Sequence, residues 1–294
     1  MLEKHQGLKE NHLAVSLAHA EQFEKYVQVM AFWTPNDMGD EEGWNYFLAM
    51  LKNLKDDPAI TEKEAVIAPS VTEKGKRTLL LSVEDVRILA GKIERVDALY
   101  QAGIRILTPL WKDVTCIGGS HNTDKGLTPF GKAALDRALA LGMIPDISHA
   151  SRRSAQDIFE IAALYHRPVI ASHSNAWSVC PVSRNLYDDQ IKQIVGCGGV
   201  IGLNLFYLFL KQAKSDEVSV ADLFPHIDHF LELGASKALC LGCDMDGARL
   251  PNEIPHLGAL PRLAEEMLRH NYSEDLIHDV FYRNAHRFAT QYLR

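Results

Sequence analysis

Two short apolar segments of the chain end in the same pair of residues. Met143-Ile144-Pro145-Asp146-Ile147-Ser148-His149 and Arg167-Pro168-Val169-Ile170-Ala171-Ser172-His173 both stop at Ser-His, and each runs on through small polar residues into a helical pattern. An apolar run that leads into a helix reads as a buried parallel strand. A histidine at the end of such a strand points into the mouth of a sheet or barrel, and two of them on successive strands can share one metal ion. Two carboxylates stand in comparable places: Glu84 closes the segment 78–84 and Asp244 closes the segment 238–244. Imidazole plus carboxylate is a ligand set of catalytic zinc. Each residue taken alone has a plainer use. A strand-end histidine can be a hydrogen-bonded core residue, Glu84 an acid at a helix N-terminus, and Asp244 a loop carboxylate. Four such groups at the same end of one fold point to a site.

The loop after His173 adds a cation. In Pro181-Val182-Ser183-Arg184-Asn185-Leu186, Arg184 is suited to bidentate capture of a substrate carboxylate, although it could equally cap the helix that starts near Asp188. Trp111, just past the segment 103–110, either walls a pocket or packs in the core. His121, His166, His226, His229 and His256 have no strand-end placement and read as surface or structural residues. Cys240 and Cys243 form C-x-x-C inside an apolar strand-like run, where their side chains face opposite ways, so a structural role is expected rather than a zinc or redox one.

Strand-like and helix-like patterns alternate along the chain. The strand candidates are residues 26–33, 78–84, 103–110, 143–149, 167–173, 199–206 and 238–244. Helical patterns cover 12–24, 86–102, 129–142 and 219–234, and a last helix follows Ser273. Repeated βα units imply a doubly wound sheet or a (β/α)8 barrel. The Gly-rich stretch 196–199 precedes a strand instead of following one, the wrong order for a dinucleotide loop. In a barrel, function gathers at the C-terminal strand ends, where the four candidate ligands fall. Only seven strands are visible, so the expectation is a TIM-type barrel lacking its first β-strand.

The chain of 294 residues is 47% hydrophobic and 23% charged, enough for a single domain over 1–294 with a sizeable core. A net charge of −7 argues against nucleic acid or an anionic membrane as the main partner. No apolar run reaches the roughly 20 residues that span a bilayer, and the first residues have no apolar core of a signal peptide; a cytoplasmic protein is expected. Five scattered cysteines suggest reduced thiols.

Together these residues resemble the membrane (renal) dipeptidase family of zinc hydrolases. The matching stretches are Gly103-Ile104-Arg105, Gly126-Leu127-Thr128-Pro129-Phe130-Gly131, Asp146-Ile147-Ser148-His149, Pro168-Val169-Ile170-Ala171-Ser172-His173-Ser174, Ser183-Arg184-Asn185-Leu186, Gly198-Gly199-Val200-Ile201-Gly202 and Gly242-Cys243-Asp244-Met245-Asp246-Gly247, in the family's order. The resemblance implies a (β/α)8 barrel with two zinc ions and a dipeptide substrate; a second copy of the chain, in a homodimer, is a further candidate partner. It implies Glu84 as the bridging ligand, His149 and His173 as completing the second zinc site, Asp244 as the acid/base group and Arg184 as the carboxylate binder. Trp111 falls where some members place a substrate-contacting His and others a Trp. The family's first strand ends in His-x-Asp, which supplies the other ligands of the first zinc. No such motif precedes residue 26. The expectation is a chain truncated at its N-terminus that holds one zinc through Glu84, His149 and His173.

Two other readings stay open. Lactonase- or phosphotriesterase-like amidohydrolases bridge their metals with a carboxylated lysine after the fourth strand, and Lys112 sits near that place. A catalytically dead barrel that binds a peptide or protein partner is the other. No G-x-S-x-G elbow is present, which argues against a serine hydrolase.

Overall fold

The computed structural model describes residues 6–71 and 77–293. The chain forms two compact units. One takes the residues up to Leu8, Phe23–Val169 and those from Ala289; the other takes Lys9–Gln22 and Ile170–Phe288.

The first unit is built on a parallel sheet of β1 (Tyr26–Trp33), β2 (Val66–Ile67), β3 (Arg77–Glu84), β4 (Ile104–Thr108) and β5 (Ile144–Pro145). The order β1-β3-β4-β5 makes β3 central, with the short β2 also paired to its first half. This matches its sequence. Thr78 to Val83 are buried without a break, the signature of a parallel strand covered on both faces, whereas β1 carries partly exposed residues along its length. Leu79, Leu81 and Val83 are each no more than 1% exposed, and each contributes about 1.5–3 kcal/mol of burial. The register places Glu84 beside Trp33 of β1 and Thr108 of β4, so three strand ends meet at one carboxylate.

Helix starts in this unit follow capping chemistry. Thr128 accepts the Gly131 N–H at 2.9 Å ahead of Pro129–Ala140, with Pro129 in the first turn, where no donor is needed. A Cβ on Gly131 would lie 1.8 Å from the Ile117 carbonyl oxygen, so only glycine allows that helix to seat against residue 117. Ser151 caps Arg152–Leu164 two residues after His149.

The second unit holds β6 (Ile201–Leu203) and β7 (Leu239–Leu241), paired in parallel, with a single bridge from Ala171 to Ile201. Its packing is unusually close. A Cβ on Gly202 would stand 1.8 Å from the Ser172 carbonyl oxygen, and one on Gly242 2.0 Å from the same atom. The backbone before His173 thus lies against the two glycines of neighbouring strands. Ile201, Leu203, Leu239, Phe230 and Leu263 fill the core around them. Cys240 is buried on β7 and Cys243 half-buried beyond it, and burial pushes both thiols up to about 12.

Several boundaries differ from the sequence patterns. Residues 12–24 form turns, not a helix. There the backbone donors find tertiary partners instead: Ala14 and Val15 N–H both donate to the Asp246 carboxylate, at 2.5 and 3.3 Å, and Ala14 returns its carbonyl to Leu257 N–H. Residues 143–149 are regular only at β5, because Pro145 has no N–H and Asp146 opens a turn. Residues 167–173 form no strand, only bridge positions at Ile170 and Ala171; Pro168 again withholds a donor. The helical pattern 86–102 breaks at Ala90, which adopts φ +51°, leaving a 3-10 turn (Val86–Leu89) and a helix (Glu94–Ala102).

Candidate metal and substrate site

Glu84, His149 and Trp111 come together in the first unit. Glu84 is the last residue of β3. His149 lies four residues past β5 at φ +68°, in the left-handed region that costs an L-residue energy and is often found at functional sites. A buried carboxylate imposes that turn. Asp146 accepts the Ser148 N–H at 2.9 Å and the Thr108 hydroxyl at 2.7 Å, which ties the turn to the end of β4. His149 Nε2 then stands 2.9 Å from Glu84 Oε1. On its other side, Nδ1 lies 3.0 Å from the Trp111 carbonyl oxygen. A carbonyl only accepts, so Nδ1 carries a hydrogen, and Nε2 meets the carboxylate either as the second N–H of an imidazolium or through its lone pair. Two electron-rich atoms held that close require a positive charge, a proton or a cation. With its outer nitrogen fixed in this way, His149 has the arrangement of a metal-ligating histidine.

Around this pair, Trp111 is half-buried, its ring 6.2 Å from His149 and 5.1 Å from Trp33. Lys112 is exposed, which does not suit a lysine that bridges metals. His121, which sequence patterns place on the surface or in a structural role, packs edge-on to His149 with centroids 5.9 Å apart, and its N–H donates to the His149 carbonyl at 2.7 Å. Behind Glu84, the buried Asp85 accepts from Arg87 Nε at 3.0 Å; Arg87 in turn donates to the carbonyls of Thr34 (2.7 Å), Pro35 and Met38 (3.4 Å). This clamp fixes the loop after β1 against the end of β3. Burial pushes the Asp85 carboxyl up to about 6, against the pull of the Arg87 guanidinium.

His173, Arg184 and Asp244 come together in the second unit. His173 Nδ1 is 2.7 Å from Ser172 Oγ. Arg184, only 5% exposed, donates to the His173 carbonyl at 3.3 Å and to Ser174 Oγ at 3.4 Å, with its guanidinium 5.1 Å from the Phe209 ring centre. It does not cap the helix Asp188–Gly196, whose N-cap is Tyr187. Asp244 follows β7 at φ +59°, and its Oδ2 accepts from Asn204 Nδ2 at 3.3 Å. Asn204 has no counterpart in the sequence reading. No spacing rule singles out one asparagine after a short strand.

His226 is structural, as its position in the sequence suggests. It is fully buried; Nδ1 accepts the Ala176 N–H at 3.1 Å and Nε2 faces the Leu210 carbonyl at 3.0 Å, so the neutral Nε2–H tautomer fits both partners. Desolvation holds its pKa below the ordinary 6.5. The unfolded chain therefore takes up the proton first as pH falls. Stability from this group is complete above about pH 6.5 and declines from there down through the lower folded-state pKa. Urea titrations across pH 7.5 to 5 should show this slope in the native protein and a shallower one in His226→Gln.

Parallel βα units with a carboxylate and an imidazole paired beside the end of β3 fit a metal-dependent hydrolase of the TIM-barrel type. The chain belongs to the membrane dipeptidase family (peptidase family M19), whose model matches residues 9–292. It is similar to an uncharacterized protein in the pqqA 5′ region of Klebsiella pneumoniae, 31% identical over 204 residues, covering 66% of this chain and 74% of that protein. It is also similar to an uncharacterized dipeptidase of Schizosaccharomyces pombe, 29% identical over 180 residues, which are 59% of this chain and 42% of that longer protein. Among solved structures it matches a metallo peptidase from Rhodobacter sphaeroides, liganded with a phosphinate mimic of the dipeptide L-Ala-D-Ala. That match has a TM-score of 0.89 and 22% identity, over 96% of this chain and 91% of the other. The α/β fold of TIM-barrel type and the metallopeptidase class expected from the sequence are thus borne out. Among the described residues no helix is long and apolar enough to cross a membrane.

Proposed function

We propose that the protein is a zinc-dependent dipeptidase in which Glu84, His149 and His173, each offering one ligand atom, hold zinc. The observation that carries this reading is His149 Nε2 held 2.9 Å from Glu84 Oε1 with Nδ1 committed to the Trp111 carbonyl. His173 Nδ1 meets Ser172 Oγ at 2.7 Å, and with that hydroxyl accepting the Nδ1 hydrogen Nε2 serves as the ligand atom. One carboxylate oxygen and two imidazole nitrogens suit zinc by donor type. When bound, zinc supplies Lewis-acid polarisation of the scissile carbonyl and activation of water. The chain's own groups do the rest. Asp244 takes the proton of the attacking water and delivers it to the leaving amine, as a general base and then an acid. Arg184 holds the substrate's C-terminal carboxylate and so limits substrates to dipeptides. Trp111 lines the substrate side of His149. Family membership supports the dipeptide as substrate.

The test is a panel of dipeptides beside lactones, assayed with the native chain and Arg184→Lys. Dipeptides should be hydrolysed and lactones should not. A charge-assisted carboxylate contact is worth about 1.5–3 kcal/mol, so Arg184→Lys should lose roughly 10- to 100-fold in kcat/KM on dipeptides. On the same dipeptides with amidated C-termini the two proteins should differ little. Equal losses on both substrate sets would exclude Arg184 as the carboxylate binder.

A further inference from the structure

We propose that Asn204 is a positioning residue that aims the Asp244 carboxylate, an inference that rests on the acid–base reading of Asp244. Asn204 directly follows β6 and is fully buried. Its side-chain amide is satisfied at both ends. Oδ1 accepts the Phe206 N–H at 2.6 Å, which fixes that atom as the oxygen. Nδ2 has two hydrogens and two acceptors, the His173 carbonyl at 3.3 Å and Asp244 Oδ2 at 3.3 Å. The backbone of Asn204 is held as tightly. Its N–H donates to Asn175 Oδ1 at 3.0 Å and its carbonyl accepts from Asn175 Nδ2 at 2.9 Å, with Asn175 itself fully buried. The amide cannot turn without breaking a buried hydrogen bond, which costs more than an exposed one.

Asp244 needs such a hold. Its backbone sits at φ +59°, a conformation with little intrinsic preference for an aspartate. A neutral amide suits the task better than a lysine or arginine. It donates to one carboxylate oxygen and fixes the plane of the group without adding a positive charge that would drain its basicity. Because the same nitrogen also holds the His173 carbonyl, the angle of the carboxylate is set relative to the segment that carries the histidine.

The experiment is a double-mutant cycle, with metal content read beside kinetics. Asn204→Asp keeps the shape, removes the donor and sets a second carboxyl group beside Asp244. Its kcat on a good dipeptide should fall roughly 10- to 100-fold, the usual cost of removing an orienting partner, while KM moves less than about threefold. Zinc per chain, measured by plasma emission spectrometry, should equal that of the native protein. Asn204→Ala should give a similar loss, and in an Asp244→Asn background it should lower kcat less than about twofold, because its target is gone. If Asn204→Ala does not fold, Asn204→Ser takes its place in both backgrounds. Fully multiplicative losses, or loss of zinc from Asn204→Asp, overturn the inference. An Asp244→Asn protein with native kcat overturns the acid–base reading on which it rests.

Discussion

Glu84→Gln should leave a folded chain that neither retains zinc nor hydrolyses dipeptides. Glutamine preserves the size of the side chain and its place at the end of β3, but it brings no negative charge to His149 Nε2. Without that charge a divalent cation loses its anionic ligand among the three proposed. Lewis-acid assistance is worth several kcal/mol, and each 1.36 kcal/mol is tenfold, so the loss in kcat/KM should be on the order of 10³-fold or more. Folding should suffer little, because the carboxylate and imidazole at 2.9 Å need a positive charge between them and the amide does not. Metal analysis after dialysis, dipeptide assays and thermal melts read the three effects separately. A glutamine variant with native zinc content and native turnover would remove Glu84 from the site.

Gly202→Ala should be nearly as damaging, by another route. The added methyl would lie 1.8 Å from the Ser172 carbonyl oxygen, a backbone atom that cannot swing aside. Either β6 or the segment 171–173 has to move. Overpacking of this kind costs typically about 1–3 kcal/mol, occasionally more. The displacement falls next to His173 in the segment 171–173 and two residues before Asn204 at the end of β6. The variant should melt several degrees below the native protein and hydrolyse dipeptides at least about 100-fold more slowly, since a 1 Å misplacement at a catalytic site costs that much. An alanine variant with native melting and turnover would show that the strand ends yield more than their packing suggests.

Elements with one dominant physical cause were legible from the chain alone. The run Leu79-Leu80-Leu81-Ser82-Val83 of β3, apolar but for one serine, announces a strand buried on both faces. The Ser-His endings, Glu84 and Asp244 stand out because metal and proton chemistry draw on few residue types. Other features are relational and leave no local trace. Residues 12–24 have a helical pattern, yet Asp246 captures their backbone donors. β2 is two residues long and exists only because β3 is beside it. His121 and Asn204 matter through what they touch, and their neighbours come from distant parts of the chain. Gly202 and Gly242 were visible as parts of a motif, but their reason, one carbonyl oxygen wedged against both, is geometric.

The tie between Ala14 and Asp246 bridges 232 positions of the chain. On the ribosome, the strap of residues 9–22 therefore emerges long before the loop that receives it. The loop bearing Asp244 gains this anchor only after the 232 positions that separate Asp246 from Ala14 have been made. Contacts of such long sequence separation form late, after the entropy of closing a large loop has been overcome. Catalytic competence should accordingly be among the last properties the protein acquires as it folds, trailing the appearance of the β1–β5 sheet.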